Sequence, residues 1–119
     1  MIVVGATIDF ADQAKRDAAV AACAPVQQAT RDDEPGCYFY CFAADPCNPL
    51  RIQVYELWED EASLAAHFVH ANYLKMRDLL GSFGITGAWN RMYLTTRDEP
   101  VYGPNGTVRT KFFVDEPGA

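Results

Sequence analysis

Glu56, Trp58 and His67 are the residues of this 119-residue chain whose types and spacing could do chemistry. Glu56 and Trp58 lie at the end of a run from Arg51 to Trp58 in which strand alternation puts Ile52, Val54, Glu56 and Trp58 on one face. A carboxylate on an otherwise apolar strand face is partly desolvated, which raises its pKa unless a partner holds it. Such a group either orients a helix, an arginine or a histidine, or it faces a pocket. Trp58 is either core or a platform for a ligand ring. His67 follows two turns into the next segment. An imidazole suits proton transfer near neutral pH, although a single histidine on a helix also serves structure alone.

The segment after Trp58 carries Leu64, Ala65, Phe68, Val69, Met76 and Leu79 on one stripe of helical spacing, with Asn72 near its middle. A buried amide needs partners, and a pocket would supply them. On a straight helix His67 lies about 140° from Asn72, so an unbroken helix cannot aim both at one point. A break around His70 and Ala71 would relieve that conflict. His70 itself is expected on the solvated side, and His67 on a flank with Ala71 and Leu74. Tyr38 and Tyr40 are predicted to share a face of an earlier strand, and Arg91 and Tyr93 a face of a later one; Tyr73 follows Asn72. Six tyrosines in so short a chain fit an aromatic-lined cavity or an aromatic core. The phosphate-cradling, serine-hydrolase and zinc-protease motifs are absent, as is any GxGxxG.

The elements that must position these residues can be read in order. Residues 2 to 10 form a β-branched first strand. Asp12 offers an N-cap to a helix running toward Arg31, with Ala19, Ala22, Cys23, Val26 and Ala29 as its stripe and Pro25 as a kink or interruption. Asp32 to Gly36 is a turn. Cys37 to Ala43 and Arg51 to Trp58 form a hairpin across Asp45-Pro46-Cys47-Asn48-Pro49. A second helix begins at Glu59 or Asp60 and runs to about Leu80, ended by Gly81 and Gly84. Ile85 to Thr96 is a fourth strand. The order β-α-β-β-α-β predicts an α+β, ferredoxin-like fold: a four-stranded antiparallel sheet with both helices on one face. The other face is then bare, and pairing two sheets in a homodimer is the simple way to cover it. Residues 1–100 make the domain. Residues 101–119 form an extension that packs on the domain or on the dimer partner, with an expected strand or hairpin of Val101-Tyr102-Gly103 and Lys111-Phe112-Phe113-Val114 around Pro104-Asn105-Gly106.

Composition narrows the function. Half the residues are hydrophobic, enough for a core without staples. The net charge of −6 and the lack of a basic cluster argue against nucleic-acid and anionic-membrane partners. The start lacks a signal-peptide pattern, and no apolar run nears the roughly 18 residues of a membrane span, so the expected location is cytoplasmic. Asn105-Gly106-Thr107 reads as a turn rather than a glycosylation site. Cys23, Cys37, Cys41 and Cys47 follow no metal-ligand spacing. Cys37 and Cys41, expected on one strand face about 13 Å apart, exceed the roughly 7 Å reach of a disulfide. Reduced, mostly buried thiols and no structural zinc are the expectation.

Several short pieces in fixed order then resemble a known family: Glu34-Pro35-Gly36-Cys37 with Tyr40, Asp45-Pro46, Glu56-Leu57-Trp58, Glu61-Ala62 and Leu64-Ala65-Ala66-His67. Over residues 2 to 96 the chain is similar to the antibiotic biosynthesis monooxygenases. That resemblance implies a dimeric α+β barrel. It implies an activity among those of the family: cofactor-independent oxidation of quinols or polycyclic phenols by O₂, haem degradation, isomerisation of small signalling molecules, or none. Glu56, Trp58 and His67 occupy matching positions. Where relatives often carry a small residue, a proline and a second histidine or aromatic, this chain has His70-Ala71-Asn72-Tyr73, which weakens any mechanism that needs two imidazoles. The position of the haem-ligating histidine falls on Arg77, which cannot serve.

The reading that follows is a monooxygenase of a small aromatic, quinol- or anthrone-like substrate that uses O₂ and no cofactor. His67 would accept a proton or donate to the substrate oxygen, with Glu56 fixing its orientation. Trp58, Tyr40 and Tyr73 would line the pocket, while Asn72 and Arg91 would stabilise developing oxyanion charge. The alternatives are an isomerase, cyclase or lyase using the same groups without O₂, and a non-catalytic ligand-binding or interaction domain.

Overall fold

A computed structural model describes residues 1–114 of the chain. Its elements are β1 (Ile2–Phe10), α1 (Gln13–Asp33), β2 (Cys37–Ala44), β3 (Arg51–Trp58), α2 (Glu61–Phe68), α3 (Ala71–Ser82) and β4 (Ile85–Leu94). The four strands make one sheet in the order β2-β3-β1-β4, each pair antiparallel. This is the expected ferredoxin-like α+β architecture, with the second helix divided in two.

The core lies between the helices and one face of the sheet. Ile2, Phe10, Tyr40, Phe42, Ile52, Val54 and Trp58 meet Ala19, Cys23, Val26, Leu64, Met76 and Leu80 there. Asp12 caps α1 by accepting from the Lys15 N–H, and the helix continues through Pro25. The small stripe of α1 is joined by buried polar residues. Gln27 donates to the Phe42 carbonyl and accepts the Phe42 N–H, and Arg31 donates to the Tyr40 carbonyl. These side chains satisfy backbone groups of β2, the edge strand, and so fasten α1 along it. The buried guanidinium of Arg16 donates to the carbonyls of Asn48 and Arg51 at 3.0 Å and anchors the β2–β3 loop.

Two departures from the expected strands have local causes. The ladder between β2 and β3 shifts register between Cys37 and Phe39, a bulge that inserts Tyr38 as an extra residue. Tyr38 and Tyr40 therefore do not share a face: Tyr38 is half exposed and Tyr40 is buried. Nor do Cys37 and Cys41, which pair with Trp58 and Tyr55 on opposite faces. All four cysteines are free.

The tail differs from the expected hairpin. Tyr102 forms an isolated bridge with Val108, around a turn in which Gly103 donates to the Thr107 carbonyl. Lys111, Phe112, Phe113 and Val114 are not part of that pairing; Glu99 instead binds Arg109 and the Phe113 N–H. Among the described residues no helix is long and apolar enough to cross a membrane.

Candidate functional site

The site is assembled at the corner where β3 passes into α2. Gly36, in the left-handed region at φ 81°, turns the chain from α1 into β2, and its carbonyl accepts the Glu59 N–H at 2.8 Å. A Cβ at this position would collide with the Ser63 side chain. The Glu34-Pro35-Gly36 turn is thereby pressed against the first turn of α2, which Asp60 caps through the Ser63 N–H. Glu34 enters the interior as a result and is 7% exposed.

α2 ends at Phe68, and α3 begins afresh at Ala71 with His70 as its cap, Nδ1 accepting the Asn72 N–H. The break changes the direction of the chain, so His67 from α2 and Asn72 from α3 converge on one carboxylate. Nδ1 of His67 stands 2.7 Å from Oε1 of Glu34, and Nδ2 of Asn72 donates to Oε2 at 3.3 Å. Four rings surround the imidazole: Trp58 at 4.5 Å, Tyr73 at 5.3 Å, Tyr40 at 5.4 Å and Phe68 at 5.8 Å between centroids. Burial lowers the pKa of His67, and Glu34 only partly opposes this. The neutral ring therefore donates a hydrogen bond from Nδ1–H to Glu34 and leaves a lone pair on Nε2.

Beside this cluster is a cavity of about 380 Å³. Its walls are largely apolar, from Val4, Ala6, Ile8, Phe42, Val54, Met76 and Leu80, and His67, Glu56, Tyr40 and Tyr73 also line it. Among the described residues, Thr30 Oγ1 is the one buried side-chain polar atom that is both enclosed and unpartnered. Nε2 of His67, Oε2 of Glu56 and the Tyr40 hydroxyl make no hydrogen bond among the described residues, yet they are not enclosed in that way. All three residues line the cavity.

The other predicted residues take different places. Glu56 does not orient His67: its Oε1 accepts the indole N–H of Trp58 at 2.9 Å, and Glu34 holds the histidine. Trp58 is fully buried behind the imidazole and does not line the cavity. Asn72 spends its amide on Glu34 rather than on a ligand. Arg91 borders the cavity from β4, but it pairs with Gly5, which pairs with Tyr55 on the sheet face away from the helices. Its guanidinium lies over Trp89. His67 is not on a flank but nearly sealed, and His70 is a half-exposed cap. Glu34 was missed as a site residue because it follows Asp32 and Asp33 in what reads as an acidic turn. Its one distinguishing signal is its place immediately before Pro35-Gly36 at the entry to a strand. Phe68, Met76 and Arg77 also line the cavity. No three His, Cys, Asp or Glu side chains among the described residues converge as metal ligands.

Comparison with solved structures places this fold among known ones. A candidate antibiotic biosynthesis monooxygenase from Deinococcus radiodurans superposes with a TM-score of 0.71 at 20% identity, over 87% of this chain and 100% of that one. One of the same description from Caulobacter crescentus gives 0.72 at 18% identity, over 81% and 90%. Rv0793 from Mycobacterium tuberculosis gives 0.65 at 21% identity, over 83% and 98%. No curated protein matches in sequence. At these identities the superpositions speak for the fold. The sequence profile of one family, described as antibiotic biosynthesis monooxygenase, matches residues 1–79, from β1 through most of α3. The chain belongs to the antibiotic biosynthesis monooxygenase family.

Proposed function

We propose that this protein is a monooxygenase that oxidises a small electron-rich aromatic, a quinol or an anthrone-like phenol, with O₂ and no added cofactor. The observation that carries this reading is the free Nε2 of a neutral, carboxylate-anchored His67 at the wall of an apolar cavity. His67 takes the proton of the substrate hydroxyl, with Glu34 holding the tautomer and stabilising the imidazolium that forms. The resulting phenolate is rich enough to pass an electron to O₂. One oxygen atom bonds to a ring carbon, and the other leaves as water with two hydrogens from the substrate. The substrate is the reductant. Apolar walls exclude water from the radical pair and strengthen the hydrogen bonds at the polar end. Tyr40 and Tyr73 contact the bound ring.

The reading includes a homodimer. Phe39, Tyr55, Trp89 and Tyr93 are about half exposed on the sheet face away from the helices. An apolar surface of this kind is normally covered. A second copy of the same face is the simplest cover, and it would stiffen the sheet that carries Glu56 and Tyr40.

Oxygen uptake on incubation with menadiol or anthrone, in buffer free of flavin and treated with chelator, tests the activity. Uptake is expected in the wild type, with the loss of about 10²–10⁴-fold in His67→Ala that removal of a general base brings. Wild-type uptake in His67→Ala would remove the histidine from the mechanism. Turnover that persists without oxygen would assign an isomerase or cyclase instead.

A further inference from the structure

Glu56 has no role in holding His67, and its setting asks for another. The side chain is 7% exposed and makes one hydrogen bond, from the indole of Trp58 to Oε1. Oε2 opens onto the cavity. The ionisable groups around it are Tyr40 and Cys37 from β2, Glu34 from the end of α1, His67 from α2, and Tyr73 and Arg77 from α3. β1 faces it with Ile2, Val4 and Ala6, and β4 with Asn90 and Met92. Arg77 is mostly exposed and pairs with Asp78. The neighbourhood of Glu56 therefore offers it no ion pair, and an ionised carboxylate with a single donor is costly there. Keeping the proton removes that cost and turns Oε2–H into a donor at the cavity wall. Burial, reinforced by the charge of Glu34, pushes Glu56 up to about 7.

We propose that Glu56 determines ligand specificity: its protonated carboxyl donates a hydrogen bond to the carbonyl oxygen of an uncharged aromatic ligand, a ketone or quinone, and the cavity rejects carboxylate-bearing analogues. A ligand carboxylate would bring a second negative charge beside Glu34, and the two cations at the cavity's border are engaged elsewhere, Arg77 with Asp78 and Arg91 over Trp89. The inference deepens the oxygenase reading by taking the same cavity as the ligand site, and it is tested without turnover.

The test is calorimetric titration of the full-length protein with 2-acetonaphthone and with 2-naphthoate, which have nearly the same shape and no hydroxyl to oxidise. The ketone is expected to bind at least about tenfold more tightly than the carboxylate near pH 6. Its affinity falls as the pH rises past about 7 toward pH 8, as Glu56 loses the donor proton. Glu56→Gln, whose amide also donates, keeps the ketone and loses this pH dependence; Glu56→Ala binds it weakly throughout. Equal affinity for the two ligands, no binding of the ketone, a flat wild-type profile, or the same fall in Glu56→Gln would each overturn the proposal. Ketone-selective binding without oxygen uptake sinks only the oxygenase. Uptake without selectivity sinks only the role of Glu56.

Discussion

Glu34 and His67, 33 positions apart in the chain, meet with Oε1 2.7 Å from Nδ1 and both side chains nearly sealed from water. The contact sets which nitrogen of the imidazole faces the cavity. Removing its charge while keeping its shape isolates that effect. In Glu34→Gln the amide oxygen can still accept the Nδ1 proton, but the imidazolium loses its counter-charge. We expect kcat/KM for oxygen uptake to fall about 10- to 100-fold with little change in KM. Because Glu34 is what raises the His67 pKa against burial, the acid limb of the pH profile should also move to lower pH. An unmoved limb would mean that Glu34 is only structural.

Glu56 links the site to stability. Its folded pKa of about 7 lies above the ordinary 4.5, so between those values the folded state binds more protons than the unfolded chain. Stability is therefore lost as the pH rises from about 4.5 through 7. Glu56→Gln should be more stable than the wild type at pH 8 by an amount on the order of 3 kcal/mol, and the gain should vanish below about pH 5. Urea unfolding at the two pH values measures it. A gain of equal size at both would show that ionisation is not the cause.

Gly36 carries the turn that delivers Glu34. In Gly36→Ala the positive φ alone costs about 1 kcal/mol, and the added methyl would have to displace Ser63. A fall in melting temperature of about 5 °C or more is expected, together with a larger loss of activity than the stability loss explains. Thermal melts and oxygen uptake on the still-folded variant check both.

The bare sheet face gives a prediction about assembly. Tyr55→Glu places a charge at the centre of the half-exposed aromatic set formed with Phe39, whose ring lies 5.9 Å away. Light scattering after size exclusion should show a dimer for the wild type and a monomer for the variant. A wild-type monomer at micromolar concentration would end that part of the reading.

Much of this fold is legible because each strand and helix carries its own local signal. β1 occupies the expected residues because its run is rich in β-branched side chains, and β3 because its alternation is regular and the turn at residues 45–49 bounds it. Asp12 and Asp60 cap the helices they precede. Even the break in the second helix was visible as a conflict between His67 and Asn72. The site was only half legible, for a different reason. Alternation identified Glu56 as an acid on an apolar face, but no periodicity reveals which of two buried acids meets a histidine. That depends on how the Gly36 turn docks on α2, a contact distant in sequence. Arg91 shares a face of β4 with Tyr93, as alternation predicts, but which side of the sheet that face lies on depends on pairing with β1. Parity on β2 failed at a single point, Tyr38, because a bulge leaves no mark in a run of aromatics.

That extra residue has a consequence for how the strand tolerates editing. Gly36 stays locked to Glu59, while Cys37 and Phe39 already face Trp58 and Leu57, which are neighbours on β3. A one-codon deletion of Tyr38 would therefore knit the ladder into unbroken alternation, with Tyr40 still opposite Glu56. The kink would be erased and the chamber's lining kept.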